Sequence, residues 1–584
     1  MFSKVLVANR GEIAVRVMRA LRDLGVASVG VYSEADRDAL HVTHADEAFF
    51  IGEAAPAASY LNIEKIVDVA RRAGAQAVHP GYGFLAENAH FAQACADAGL
   101  VFIGPPASAI EKMGDKVSAR QAAVDAGAPV VPGTLEPVTD PAEVGAFAAE
   151  HGYPVAIKAS FGGGGRGFKV VRSEKELADA LGSAQREAKN AFGRDEVYVE
   201  RYLEGARHIE AQIIADTHGN VLFFGERDCS LQRRHQKLVE ESPSPAVTDD
   251  VRARLRDASV AIAKQVGYVN AGTIETLLDA DRTRFYFMEM NTRLQVEHPV
   301  TELVFGVDLC AWQVRVAAGE ALPWSQEELV SRGHAIECRI NAEDPAKKFF
   351  PSPGFIGNYR EPAGPGVRVD AGFSGGSEIP RSYDSLIAKV ITFGEDRDTA
   401  RRRMLRALDE YIIEGVKTTI PFHTLALQDE RVVAGEYSTS FVENDLDLSG
   451  LVPAKVTPAE KREPGSGRDV VVEVDGKRVG VRVFNLDTAL SSGATAKRPD
   501  APAAEMRARA GVGGKESVRA PMQGTIVKVA VSVGQAVKAG DLIAVLEAMK
   551  MENHISAPRD GTIAELSVSA GQNIETGAVI AVLD

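Results

Sequence analysis

Two stretches of the chain repeat one another at an offset of 37 residues: APMQGTIVKVAVSVGQAVKAGDLIAVL from Ala520 and APRDGTIAELSVSAGQNIETGAVIAVL from Ala557. The register holds throughout, pairing Gly524 with Gly561, Gly534 with Gly571, Gly540 with Gly577 and Leu546 with Leu583. Alternating apolar residues between glycine turns make each half a small β unit. Neither half can cover its own apolar face, so the pattern predicts an all-β flattened barrel or sandwich at 517–584, its halves packed against each other. The joint between the halves reads Glu547-Ala548-Met549-Lys550-Met551, at a hairpin tip that would project Lys550. The whole chain has ten methionines, and two of them flank this lysine. Methionine is not a turn former. Its place here suits a surface that a second enzyme recognises in order to modify the amine.

With 584 residues, about four domains are expected at roughly 150 residues each. The first hundred residues alternate strand and helix. KVLVA and VASVGVYS read as buried strands around a helical stripe of Ile13, Val17, Leu21 and Leu24, with Gly25 as its stop. AQAVHP and LVFIGP supply further strands, with helices at Ile63–Ala73 and Asn88–Ala98, a doubly wound α/β unit. Its first turn, ANRGEIA, is not G-x-G-x-x-G, which disfavours a dinucleotide site. A longer α/β region runs to about Asp447. Over 448–516 the composition changes to a hairpin turning at Asp475-Gly476, then a small, polar, Pro- and Gly-bearing linker.

Acidic residues outnumber basic ones, 81 to 66, for a net charge of −15. That balance gives no overall attraction for nucleic acid or an anionic membrane. No run reaches the ~18–20 apolar residues that span a bilayer, and the opening MFSKVLVA enters a strand without a signal-peptide stretch. Cys95, Cys229, Cys310 and Cys338 lie far apart without C-x-x-C, as suits unpaired thiols in a reducing cytoplasm.

IKASFGGGGRGFKVV places Lys158 on a strand before Gly162–Gly165. Consecutive glycines let backbone N–H groups approach phosphate, and the lysine adds a point charge. Lys116 follows Met113-Gly114-Asp115. Glu275 and Glu289 lie equally far from a turn near DADRT, so a hairpin sets them near-opposite. Like charges facing across a sheet are unfavourable, and a magnesium ion shared with nucleotide phosphates resolves the conflict, with Asn291 on the same side. If that strand continues, Asn291, Arg293, Gln295 and Glu297 share one face; in HAIECRIN, Glu337, Arg339 and Asn341 share another.

With these motifs together, residues 1–447 resemble biotin carboxylase, an ATP-grasp enzyme, through ANRGEIAVRV, HPGYGFLAEN, MGDKVSAR, GGGGRGF, GERDCSLQRRHQK, MEMNTRLQVEHPVTE and GHAIECRINAEDP. Glu547–Met551 matches the Glu-Ala-Met-Lys-Met signature of the biotin carboxyl carrier domain; lipoyl domains share the architecture but set their lysine in Asp-Lys-Ala. The whole resembles the α subunit of a bacterial acyl-CoA carboxylase of acetyl- or propionyl-CoA type. The resemblance implies a multidomain α/β fold: a Rossmann-like N-terminal domain at 1–115, an ATP-grasp domain at 116–320 with a glycine-rich lid at about 132–203, a C-terminal carboxylase domain at 321–447, the small β element and linker, and the biotinyl domain. It implies biotin on Lys550, with ATP around Lys116, Lys158, Gly163, Gly164, Gly165, Glu200, Leu203, His208, Gln232 and His235. Magnesium, or manganese in its place, falls to Glu275, Glu289 and Asn291, and bicarbonate to Lys237, Arg293, Gln295, Val296 and Glu297. Glu297 is then the general base that activates bicarbonate, Arg339 and Arg293 steady the anions, and Tyr82 and Gly83 join Arg339 as biotin contacts.

The partners implied are a carboxyltransferase β subunit and a biotin protein ligase, in a cytoplasmic hetero-oligomer with several α chains. The hairpin at Val470–Phe484 is a candidate dock for the β subunit, or else it orders the linker. A carbamoyl-phosphate-type bicarbonate kinase is the enzymatic rival, although it has no use for a swinging arm. A carrier whose front half only binds nucleotide is the other rival, although a pure binder has no use for a base beside the phosphates.

Overall fold

The computed structural model describes all residues except 135, 160–168, 193–194, 453–467, 475–476, 484–515, 522–523, 549–550 and 575–576. For 190–192, 468–483, 516, 547–548 and 551–552 it describes the backbone alone. The chain divides into two compact units, 1–460 and 461–584.

The first unit opens with five parallel strands, β1 (Lys4–Val7), β2 (Ala27–Ser33), β3 (Glu47–Gly52), β4 (Ala77–His79) and β5 (Val101–Phe102), in the order β3-β2-β1-β4-β5. The expected stripe lies on a helix at Gly11–Asp23, which buries Ile13, Val17 and Leu21; it stops before Gly25, at φ +71°. The stop has a backbone cause, since only glycine enters that region cheaply. After β4 the chain turns sharply through Gly81 and Gly83, both at positive φ. A side chain on Gly81 would press on Asn9 and Ile13 at 3.0 Å, so the loop that carries Tyr82 lies tight against the first helix.

Strands β6 (Val155–Ala159), β7 (Lys169–Val171) and β8 (Val197–Arg201) form a separate small sheet with helices Pro141–His151 and Leu177–Phe192. It has its own core of Val155, Ile157, Val171, Leu181, Val197 and Val199. A module with a private core and few ties to its neighbours can move as a body.

The remainder of the first unit is built on an antiparallel sheet of eight strands: β9 (Arg207–Ala215), β10 (Val221–Arg233), β11 (Gln236–Ser242), β12 (Asn270–Leu278), β13 (Phe285–Asn291), β14 (His334–Asn341), β15 (Val367–Ala371) and β16 (Leu386–Gly394). Their order is β13-β12-β9-β10-β11-β14-β16-β15, so one sheet runs through the boundary expected at 320. Strands β9, β10, β11 and β14 lie in its middle and are buried on both faces, which sinks polar side chains that elsewhere would be wet.

In the second unit, β17 (Arg468–Val474) and β18 (Lys477–Val483) form the expected hairpin with a two-residue connection. The repeat supplies β19 (Glu516–Arg519), β20 (Gly524–Val529), β21 (Ala536–Val537), β22 (Leu542–Ala548), β23 (Met551–Ser556), β24 (Gly561–Leu566), β25 (Asn573–Ile574) and β26 (Val579–Leu583). The sheets, however, are not the two halves. One is β19-β26-β24-β21 and the other β23-β22-β20-β25, so each half lends its short strand to the other's sheet. Packing half against half would leave those short strands as open edges, and exchange pairs them. Ile526, Ile543, Leu546, Ile563 and Ile580 are fully buried between the sheets.

Because that core is shared, Ile580→Ala is expected to destabilise the second unit by about 2–5 kcal/mol. Amide hydrogen exchange should show faster exchange in both its sheets and no change in β1–β5; loss confined to one sheet would contradict the shared core.

Candidate active site

Antiparallel pairing of β12 with β13 makes Glu275 and Glu289 direct register partners, with a bulge just after Glu275. The bulge re-aims Glu275 toward β9 and β11. There His208 lies 3.2 Å from one Glu275 oxygen and the Lys237 ammonium 2.9 Å from the other. Lys237 also ion-pairs with Glu210 and, at 2.9 Å, with Glu297. Arg339, from β14, closes the cluster: its NH2 lies 2.8 Å from the second Glu297 oxygen and its Nε 2.6 Å from Glu240.

Glu297 is therefore a fully buried carboxylate with a cation on each oxygen. Burial and the nearby Glu210 charge push its proton affinity up, but Lys237, Arg339 and Arg227 outweigh them and hold it below the ordinary carboxylate range. The same balance acts on Glu275, where burial is overcome by Lys237 and His208. His208 is buried too, yet Glu275 and Glu210 raise it to about 9, so it is an imidazolium at neutral pH. The site thus holds an ionised carboxylate among fixed positive charges.

The expectation that Asn291, Arg293, Gln295 and Glu297 share one strand face is wrong. Strand β13 ends at Asn291, and Glu297 is the cap residue of a helix, His298–Phe305, with Pro299 in its first turn. Proline favours a helix start, so the chain turns instead of continuing the ladder. The four residues still converge, through the turn: Arg293 donates to Asn291 at 2.8 Å and to Gln295 at 3.0 Å, and Gln295 donates to Glu275 at 3.2 Å. In β14, Arg339 alone of its alternating trio reaches Glu297. Glu337 and Asn341 are buried below it, because that strand is covered on both faces.

Gln232 and Lys237 are register partners on the β10–β11 hairpin, and His235 occupies its turn at φ +65°. Lys158, on β6, is ion-paired with Glu200 of β8 within the small sheet, and Leu203 follows that strand, half-buried. Lys116 begins the helix Lys116–Asp125, close enough to Glu289 to stabilise its charge. Tyr82 donates to Glu12. Gly163–Gly165 and Lys550 lie outside the described residues; the strands flanking Lys550 are paired as far as Ala548 with Met551.

The Glu275–Glu289 pair fits a hard cation. Desolvation and the facing Glu275 charge raise the proton affinity of Glu289, a conflict that a divalent ion bound by carboxylate and amide oxygens relieves. Sequence reading missed Glu210, Glu87 and Glu240. Glu210 was findable, two residues beyond His208 on the same strand face. Glu87 accepts from Arg293 Nε at 2.9 Å and from the backbone N–H of Thr292 at 3.0 Å; it lies in the HPGYGFLAEN motif, but nothing in that motif says which distant segment it meets.

Family comparisons decide what this constellation belongs to. Residues 1–110 match the model for "Biotin carboxylase, N-terminal domain", 115–325 "Carbamoyl-phosphate synthase L chain, ATP binding domain", 337–444 "Biotin carboxylase C-terminal domain" and 516–583 "Biotin-requiring enzyme". The biotin-dependent acyl-coenzyme A carboxylase alpha3 subunit of Mycobacterium leprae is 49% identical over 95% of this chain and 94% of its own. The chain belongs to the biotin carboxylase family. Biotin carboxylase 1 of Bacillus subtilis is 55% identical over 77% of this chain and all of its own (100%). Among solved structures, the biotin carboxylase domain of Hydrogenobacter thermophilus 2-oxoglutarate carboxylase, held with MgADP, ADP and bicarbonate, superposes with a TM-score of 0.72 at 50% identity. It covers 76% of this chain and 97% of that one. As a biotin carboxylase fused to its carrier, the chain is a ligase that uses ATP and biotin. No described helix is long and apolar enough to cross a membrane.

Behind Arg339 lies an unusual pair. Glu240 and Glu337 are register partners across β11 and β14, both fully buried, and neither Glu337 oxygen has a hydrogen-bond partner. Burial pushes Glu240 up to about 7 and Glu337 well above the ordinary range. A raised acid pKa means the fold prefers the protonated acid. Its penalty is absent at pH values where the unfolded chain is protonated too, and it grows as pH rises past the ordinary carboxylate range. Glu337→Gln, which mimics the neutral acid, is therefore expected to raise the melting temperature at pH 8 and to change it little at pH 4.5. An equal shift at both values would show that Glu337 is not held protonated.

Proposed function

We propose that the chain is the α subunit of an acyl-CoA carboxylase, carboxylating biotin carried on Lys550 for delivery to acetyl- or propionyl-CoA by a separate carboxyltransferase β subunit. Carboxylation proper is assigned to 1–447, split at 115 and 320 into N-terminal, ATP-grasp and C-terminal domains with the lid at about 132–203; 448–516 is the linker and 517–584 the carrier. The acyl-CoA assignment draws support from the likeness to the Mycobacterium leprae subunit, which extends through the carrier region.

One observation carries the chemistry: Glu297, deprotonated and buried between Lys237 and Arg339. Bicarbonate is a poor nucleophile until it loses its proton. In this reading Glu297 takes that proton, while Lys237, Arg293, Gln295 and the Val296 backbone hold the anion in line with the γ-phosphate of ATP. Lys116, Lys158, Gly163–Gly165, Glu200, Leu203, His208, Gln232 and His235 hold the nucleotide, and the lid over it excludes water from the carboxyphosphate formed. Glu275, Glu289 and Asn291 would hold magnesium, which would supply charge neutralisation at the phosphates. Biotin would supply the ureido nitrogen that takes up the CO2 released from carboxyphosphate, its N–H proton going to the phosphate left behind. Arg339 would set its positive charge against that ring, with Tyr82 and Gly83 beside it.

Glu297→Gln is expected to retain ATP binding and to lose about 10²–10⁴-fold in bicarbonate-dependent ATP cleavage; wild-type turnover would place the base elsewhere. Lys550→Ala is expected to keep ATP cleavage stimulated by free biotin and to lose all transfer to acetyl- or propionyl-CoA when a β subunit is supplied. Transfer to a 2-oxo acid in place of an acyl-CoA would replace the acceptor and leave the carboxylase half standing.

A further inference from the structure

Four segments of the first unit meet at one buried ammonium. Lys389, on β16, has no exposed surface. Its Nζ donates to the Val296 carbonyl at 2.8 Å, faces Glu12 at 3.3 Å and stands 3.9 Å from Asp370. Asp370 is already held in a fork by Arg368, at 3.0 and 2.7 Å, so Glu12 is the nearer and freer counter-charge. Glu12 in turn accepts the Tyr82 hydroxyl. The result is an unbroken polar path: Tyr82, Glu12, Lys389, and the carbonyl of the residue before Glu297.

A backbone carbonyl in a turn needs only a neutral donor. Burying an ammonium to serve it is costly unless the charge does something more. Here the charge joins two loops, the glycine-bounded turn carrying Tyr82 and the turn from Thr292 to Glu297, whose far ends Glu87 also ties through Arg293 and the Thr292 N–H. The Glu87 tie meets the start of the second turn, whereas the Lys389 path meets its end at Val296, so the two routes are separable by substitution.

We propose that Glu12 and Lys389 are a positioning pair that couples the biotin contact at Tyr82 to the bicarbonate-binding turn at Val296. A ureido ring hydrogen-bonding to Tyr82 changes the hold of the tyrosine on Glu12; Glu12 then adjusts its pairing with Lys389, and the Val296 carbonyl follows. Neither residue touches the reacting atoms. The pair links two occupancies, so each ligand tightens the other by the same factor. This inference rests on the carboxylase reading above.

The test is calorimetric titration of the full-length, unbiotinylated chain with free biotin, at zero and saturating bicarbonate, in the presence of magnesium and a non-hydrolysable ATP analogue. Wild-type protein is expected to bind biotin about 5-fold or more tightly with bicarbonate present. The reverse titration should give the same factor. Glu12→Gln, of nearly equal volume, is expected to fold with an unchanged far-UV spectrum, to bind both ligands and to lose the dependence of one on the other. Tyr82→Phe should lose it too, and the double variant should lose no more than either single one. Lys389→Met is the direct cut; if it does not fold, Glu12→Gln decides alone. Coupling that survives in Glu12→Gln, additive losses in the double variant, or no coupling in wild type would each overturn the proposal. If Glu297→Gln is inactive in that case, only the coupling is lost; if Glu297→Gln is fully active, the carboxylase assignment of the base fails first.

Discussion

The structure of the first unit depends on one arrangement of charge: a carboxylate with no access to water, held ionised by a lysine and an arginine from two neighbouring strands. Removing any one of these groups would leave an unpaired charge inside the sheet, which costs far more than the pair contributes to stability. That explains why so many further ionisable groups crowd in. Arg227 is fully buried against Glu210, at 3.0 Å, and also donates to Gln212, Thr273 and Thr301. Each charge is justified by the next, out to Glu240, which Arg339 pairs at 2.6 Å, and to Glu337 behind it, whose carboxyl burial pushes well above the ordinary range.

Such a cluster is fixed in place because β9, β10, β11 and β14 lie side by side in the middle of an eight-stranded sheet. The sheet brings His208, Lys237 and Arg339 together from far-separated parts of the chain. Glu297 itself is not on a strand. It stands where the strand gives way to a helix, and the carbonyl of Val296 just before it is held by the same lysine that meets Glu12.

Much of this was legible from residues alone, and the limits are instructive. The opposition of Glu275 and Glu289 followed from their equal distance from a turn, and the structure makes them register partners. The hairpin at 468–483 followed from alternation around Asp475-Gly476. The Asn291–Glu297 segment was misread as a strand because period-2 polarity was trusted over the proline at 299, which starts a helix. Glu12 and Glu87 lie inside motifs that carried the resemblance, but their roles, like that of Glu240, come from contacts across large sequence separations that no motif spells out. The repeat located the carrier, but a repeat records duplicated sequence and not which strands will pair, so the exchange between halves was missed.

That exchange has a consequence for biosynthesis. Strand β26 lies between β19 and β24, and β25 edges the sheet that contains β22 and β23. One sheet cannot close until Val579–Leu583 has been made and the other until Asn573–Ile574 has, so residue 550 is synthesised before either sheet is complete.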